Sequence, residues 1–336
     1  MWFLKKMILL LLGIAILLVV VYVLGPRTGY PDMDFKIEAL DVPLQNLEAF
    51  VAQREAAIKN LKSNNASRII WADSSQQITE YAVVYLHGYS ASPMEGDPIV
   101  YDFAKKYGMN LYAPLLTQHG IDDKESFKTL TPKVLIDDAK EAIAIGKLLG
   151  KKLILMSCST GSTLSIPLCA ENPDMVDALA MFSPNFALFD SKAKLLSGPW
   201  GLQLARKIQG SNYRKVQLPP SCAGYWTMEY RIEGLVALQS LIDETMKEEY
   251  FKNIKVPVLA GYYYEDEENQ DKAISVQAIK DNLNLIATPK DQVMIEALPT
   301  TKAHVMVSSL QSQDLGIVSK MLDDFTQGVL KISVVN

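Results

Sequence analysis

A serine hydroxyl becomes a useful nucleophile at neutral pH only with a base in hydrogen-bond reach and a carboxylate to orient that base. One stretch of this chain is built to present a serine in that way. The apolar run Leu153-Ile-Leu-Met leads into Ser157-Cys-Ser159-Thr-Gly161, and a segment able to form a helix follows. A strand, a tight turn and a helix in that order hold the turn serine above the C-terminal edge of a parallel sheet. Strand and helix approach closely across such a turn, so the residues two before and two after the serine must be small. Here they are Ser157 and Gly161. Glycine is usual at both places, which makes Ser157 a departure that is still small enough for the turn.

In folds that use this strand–turn–helix, the partners of the serine come later in the chain: an acid first, then a histidine. The chain has three histidines, His87, His119 and His304, and only His304 follows the elbow. It lies between a predicted strand and the last predicted helix, and it is the expected base. The acid should follow the strand predicted over 256–264, where Glu265, Asp266, Glu267, Glu268 and Asp271 stand. Most carboxylates in such a run are solvated loop residues. Asp271 precedes Ala273-Ile274 and Val276, where the chain turns back into apolar packing. A triad carboxylate must be partly desolvated, so Asp271 is placed ahead of Asp266, which stays as the alternative. Two backbone N–H groups are needed for the developing oxyanion. One is that of Thr160, at the start of the helix after the serine. The other is that of Tyr89 in His87-Gly88-Tyr89, after the strand predicted over 80–86.

These residues need a framework, and 336 residues suffice for one large core or two modest ones. The composition is 49% hydrophobic and 21% charged, with a net charge of −5, so no nucleic-acid partner is implied. The cysteines, Cys158, Cys169 and Cys222, are odd in number and irregular in spacing, which suggests neither a disulfide framework nor a zinc site. No metal or other cofactor is expected.

Residues 7–24 carry no charge. As a helix they would span about 27 Å, close to the ~30 Å hydrocarbon core of a bilayer. Lys5 and Lys6 precede them, which places residues 1–6 in the cytoplasm and the following chain across the membrane. A cleaved signal peptide is the competing reading. Its apolar region is usually shorter and ends in an A-x-A-like site, whereas this run ends Val-Leu-Gly-Pro-Arg. The expectation is an uncleaved single-pass anchor of the cell membrane, residues 7–24, then a linker, 25–43, and an extracytoplasmic domain, 44–336.

Within that domain, apolar strands are predicted over 67–72, 80–86, 109–115, 176–182, 256–264 and 292–298, besides the elbow strand. Helices are predicted over 44–61, 94–107, 132–149, 279–285 and 313–325. Thr131 and Pro132 mark one start, and Gly150 the matching stop. Pro167 should kink or shorten the helix after the elbow. Alternation lapses over about 185–253, an insert read as helical and rich in aromatics such as Trp200, Tyr225 and Trp226. Repeated strand–helix units imply an α/β fold, with a mainly parallel sheet flanked by helices.

Leu86-His87-Gly88-Tyr89, Gln118-His119-Gly120, Ser157-x-Ser159-x-Gly161, Asp271-x-x-Ile274 and Ala303-His304 together resemble the α/β-hydrolase family over about residues 68–330. The carboxylesterase and monoacylglycerol-lipase-like branch, the serine aminopeptidase S33 group, is the most similar. The resemblance implies the α/β-hydrolase fold with a helical cap at 185–253. It implies Ser159 as nucleophile, Asp271 as acid and His304 as base, with Tyr89 and Thr160 as oxyanion donors. The implied activity is hydrolysis of carboxylic esters through an acyl-enzyme. The aromatic cap suggests a small-molecule ester with an apolar acyl or aryl group. Amide or peptide hydrolysis by the same triad, and a non-catalytic binding role, are the alternatives.

Overall fold

The computed structural model describes residues 2–335. It opens with helix α1 (Trp2–Val23), none of whose residues is buried. The segment expected as a linker does not hang free. Ile37 is buried, its N–H is held by the Asn172 side chain at 2.9 Å, and Phe35 packs edge-on against Tyr250. The first predicted helix is shorter than its apolar spacing suggests, with α2 ending at Glu55 (Leu47–Glu55). Six further elements bring the chain to the elbow: β1 (Arg68–Ile70), β2 (Thr79–Leu86), α3 (Ile99–Lys106), β3 (Asn110–Ala113), α4 (Pro132–Leu149) and β4 (Gly150–Cys158). The Thr131 hydroxyl accepts the Val134 N–H at 3.3 Å, and Pro132 occupies the first turn, so α4 begins where its sequence signals put it.

After the elbow come α5 (Thr160–Glu171) and β5 (Ala178–Phe182). Pro167 does not end α5, which runs on to Glu171. All but its last residue are buried, and tertiary packing outweighs the lost backbone hydrogen bond. The insert that follows holds α6 (Gly201–Gln209), α7 (Glu233–Thr245) and α8 (Glu248–Asn253). It is not purely helical. Two short strands, β6 (Tyr213–Lys215) and β7 (Glu229–Arg231), pair antiparallel within it. Three residues apiece are too few to show an alternation in sequence. The chain closes with β8 (Val258–Tyr262), α9 (Val276–Leu283), β9 (Val293–Ala297) and α10 (Leu315–Gly328).

Seven strands form one sheet in the order β1-β3-β2-β4-β5-β8-β9. Only β1 runs antiparallel to its neighbour. Side chains alternate across it as the pleat requires. Leu153 and Leu155 of β4 join the core under α4, α5 and α7, whereas Ile154, Met156 and Cys158 join the core under α3 and α10. The elbow strand is the middle strand, with β2 on one side (Leu86 beside Ser157) and β5 on the other (Cys158 beside Phe182). All loops expected to carry chemistry leave the C-terminal ends of these parallel strands.

Candidate active site

Ser159 sits between β4 and α5 with φ 51° and ψ −114°. A side chain in this region is strained by about 1–3 kcal/mol, and the surrounding hydrogen bonds hold it there. Ser159 N–H donates to the Phe182 carbonyl at 3.0 Å, while its own carbonyl accepts from Ser162 N–H at 2.9 Å and Asn185 N–H at 3.1 Å. Gly161 is required by close approach. A Cβ on it would stand 2.0 Å from the Leu86 carbonyl oxygen of β2. Ser157 is fully buried, and its hydroxyl lies 2.9 Å from that of Ser162, also buried. The departure from glycine is therefore accommodated by a partner five residues on. Cys158 is buried too, and burial, followed by the nearby Glu95 charge, pushes its thiol well above the ordinary range. It is a packed side chain, not a thiolate.

His304 and Asp271 come together although 33 residues separate them: His304 Nδ1 donates to Asp271 Oδ2 at 2.6 Å. That bond fixes the tautomer and leaves Nε2 as the bare nitrogen. Asp271 is 2% exposed, and its other oxygen accepts Ala273 N–H at 2.8 Å and Ile274 N–H at 3.4 Å. Burial pushes this carboxyl up. The His304 charge and the hydrogen bonds from His304, Ala273 and Ile274 outweigh it and hold Asp271 below the usual carboxylate value. Burial pushes His304 down, and the charge and hydrogen bond of Asp271, then the charge of Glu95, raise it above 6.5 overall. Asp266, the alternative acid, is exposed, and its carboxylate is engaged by the Asn269 side chain at 3.0 Å.

The loop after β2 approaches the elbow from the other side. A Cβ on Gly88 would stand 3.2 Å from Ser159 Cβ. His87 Nε2 accepts the Leu116 N–H at 3.1 Å, so Nδ1 carries the proton and donates to the Gly88 carbonyl at 2.8 Å. Ala91 N–H donates to the same carbonyl at 3.3 Å. In a trans peptide the following N–H points the opposite way. The Tyr89 N–H is thus turned away from His87, and it meets no acceptor among the described residues. Thr160 is the first residue of α5, where backbone N–H groups have no partner within the helix. Burial pushes His87 down to about 3 and His119 down to about 4, so both rings are uncharged at neutral pH.

Sequence reasoning passed over one titratable group here. Glu95 is 1% exposed and lies beside Gly88 and Tyr85. It falls at the start of the helix predicted over 94–107, but the structure makes Pro93–Gly96 a separate 3-10 turn and begins α3 only at Ile99, and nothing local in the sequence signals burial.

No protein-family model matches the chain, and no curated protein matches it in sequence. Solved structures do match in shape. One, solved for the metagenome-derived lipolytic enzymes LipS and LipT, is 14% identical with a TM-score of 0.62, covering 80% of this chain and 99% of that one. A soluble variant of monoglyceride lipase from Saccharomyces cerevisiae, bound to a substrate analogue, is 10% identical with a TM-score of 0.57, covering 81% and 92%. Est1E from Butyrivibrio proteoclasticus, bound to ferulic acid, is 12% identical with a TM-score of 0.52, covering 79% and 95%. At such low identity the likeness speaks to architecture, and by that measure this chain has the α/β-hydrolase fold.

Proposed function

We propose that the protein is a serine hydrolase of carboxylic esters, of the carboxylesterase and monoacylglycerol-lipase-like kind. The observation that carries this reading is the bond of 2.6 Å between half-buried His304 and buried Asp271, in the same domain as a serine held at φ 51° on the strand–helix turn. In this mechanism Ser159 Oγ attacks the ester carbonyl carbon and gives its proton to His304 Nε2. Asp271 keeps the ring oriented and favours the imidazolium. Tyr89 N–H and Thr160 N–H take the negative charge that develops on the carbonyl oxygen. The tetrahedral adduct collapses, the alcohol leaves with the proton from Nε2, and an acyl group remains on Ser159. Water then attacks that acyl group, giving its proton to Nε2, and the carboxylic acid leaves as Ser159 recovers its hydrogen. The substrate in this reading is a small ester with an apolar acyl or aryl part, met by the aromatic insert at 185–253.

The reading extends to the membrane. Helix α1 has 22 residues, all of those described being exposed, and is about 33 Å long at 1.5 Å per residue. That length suits a bilayer of ~30 Å. With Lys5 and Lys6 on the cytoplasmic side, residues 7–24 cross the cell membrane once and residues 44–336 work on the extracytoplasmic side. The Trp200 indole N–H donates to the Val21 carbonyl at 3.0 Å, and Trp200 N–H to the Pro26 carbonyl at 2.8 Å. These bonds tie the end of α1 to the insert, where Leu195 and Ile208 are exposed.

The test is hydrolysis of a p-nitrophenyl acyl series by the full chain in detergent, wild type against Ser159→Ala. Turnover that depends on Ser159 and favours esters is the expected result. No Ser159-dependent turnover of any ester would sink the proposal, and a preference for aminoacyl amides would reassign the substrate class.

A further inference from the structure

The reaction proposed above leaves one buried acid without a part. Glu95 is carried on a single 3-10 turn, Pro93–Gly96, just after the Gly88–Tyr89 loop. Its Oε2 accepts Gly88 N–H at 2.7 Å and the Tyr85 hydroxyl at 2.8 Å. Its Oε1 is on the side of the nucleophile. The place that a Cβ on Gly88 would take is 2.8 Å from Glu95 Oε1 and 3.2 Å from Ser159 Cβ. The carboxyl and the serine therefore flank one glycine. A glutamine oxygen could accept both hydrogen bonds without the cost of burying an ionisable group. The chain nevertheless keeps an acid at this position.

Gly88 is pinned from both ends. Its N–H is held by Glu95, and its carbonyl by His87 Nδ1–H and Ala91 N–H. The direction of the Tyr89 N–H follows from those bonds. The groups bonded to Glu95 are the Tyr85 hydroxyl from β2 and the Gly88 amide. Burial pushes Glu95 up to about 7, against the downward pull of the Gly88 N–H, the Tyr85 hydroxyl, His304 and Cys158.

We propose that Glu95 is a positioning residue. It clamps the Gly88 amide, and with it the peptide that carries the Tyr89 oxyanion donor. This rests on the triad reading of Ser159, Asp271 and His304.

The experiment compares wild type, Glu95→Gln, Glu95→Ala and Glu95→Met as full chains in detergent. It reads kcat and KM on p-nitrophenyl butyrate, and the Gly88 amide proton shift by NMR. In Glu95→Ala, kcat should fall about 100-fold, the scale of one lost oxyanion donor, with KM nearly unchanged, and the Gly88 amide proton should move upfield as it loses its acceptor. Glu95→Gln, whose side-chain oxygen can accept the same N–H, should keep most of its kcat. A Glu95→Ala enzyme that keeps its kcat overturns the proposal, as does a Gly88 amide proton that does not move or a Glu95→Gln enzyme as slow as Glu95→Ala. If Glu95→Ala does not fold, Glu95→Met, which fills the volume without an acceptor oxygen, decides by the same readings. If the wild type hydrolyses no ester, the triad reading has failed, and the Gly88 shift still tests the clamp on its own.

Discussion

Replacing Asp271 with asparagine tests the proposed triad at its most buried member. The two oxygens of Asp271 have different duties. Oδ2 accepts His304 Nδ1–H at 2.6 Å, while Oδ1 accepts Ala273 N–H at 2.8 Å and Ile274 N–H at 3.4 Å. An asparagine of the same shape has one acceptor oxygen and one NH₂. Two backbone donors claim the oxygen, so the NH₂ is turned toward His304. Nδ1 must then be the bare nitrogen, and the ring proton moves to Nε2, where a base needs a lone pair. No backbone donor is left unsatisfied, so the fold should lose only about 1–2 kcal/mol, the scale of a charged hydrogen bond made neutral. Activity should fall far more. An orienting aspartate made neutral in a Ser-His-Asp triad costs about 10⁴-fold in kcat, or roughly 5 kcal/mol of barrier at 1.36 kcal/mol per decade. The assay is p-nitrophenyl ester turnover beside a thermal melt, with Asp266→Asn measured in parallel. Asp266 is exposed and bonded to Asn269, so its variant should stay within about twofold of wild type, as surface changes usually do. An Asp271→Asn enzyme that keeps a tenth or more of its kcat would refute the tautomer argument. A deep loss in Asp266→Asn instead would move the acid.

Gly161→Ala should lower the melting temperature and cut kcat about 100-fold, the scale of an ångström's misplacement. Its Cβ would stand 2.0 Å from a backbone oxygen, whereas Gly224→Ala, with nothing within 4 Å, should be silent; equal melts for the two would refute the close-approach argument. For the anchor, the full chain should stay with membranes through carbonate extraction, with Met1 or its neighbours still present by mass spectrometry. Recovery of a soluble, N-terminally shortened chain would overturn the membrane reading.

The alternation of apolar strands with capped helices made the architecture legible, because a parallel sheet covered on both faces leaves near-continuous apolar runs. Ser159 and His304 could be named as candidates for a different reason: chain order left few choices. Asp271 could be preferred over Asp266 because the apolar residues just after it, Ala273 and Ile274, foretold burial, and both give it their N–H groups. What stayed hidden depends on contacts between distant residues. Glu95 falls in the first turn of a predicted helix, and its burial shows only once Gly88 and Tyr85 close around it. Pro167 looks like a helix breaker until packing on all sides holds α5 together. The ribbon of β6 and β7 is too short for any period to register. Helix α2 stops at Glu55, whose carboxylate turns to the Ser67 N–H at 2.8 Å, a bond twelve residues away that propensity cannot anticipate.

The paired hydroxyls of Ser157 and Ser162 bear on how chains of this kind are recognised in genomes. A pattern that demands glycine two residues before the nucleophile rejects this chain at its most informative position. What the turn needs there is small volume and no unsatisfied polar atom, and a serine meets both conditions once a second hydroxyl stands 2.9 Å away. The two positions therefore form one coupled character. Lineages that place serine at the first should carry serine, threonine or another small hydrogen-bonding residue at the second, and lineages that restore glycine at the first are free to put alanine at the second. A search profile that scores the pair jointly would recover relatives that glycine-based patterns discard.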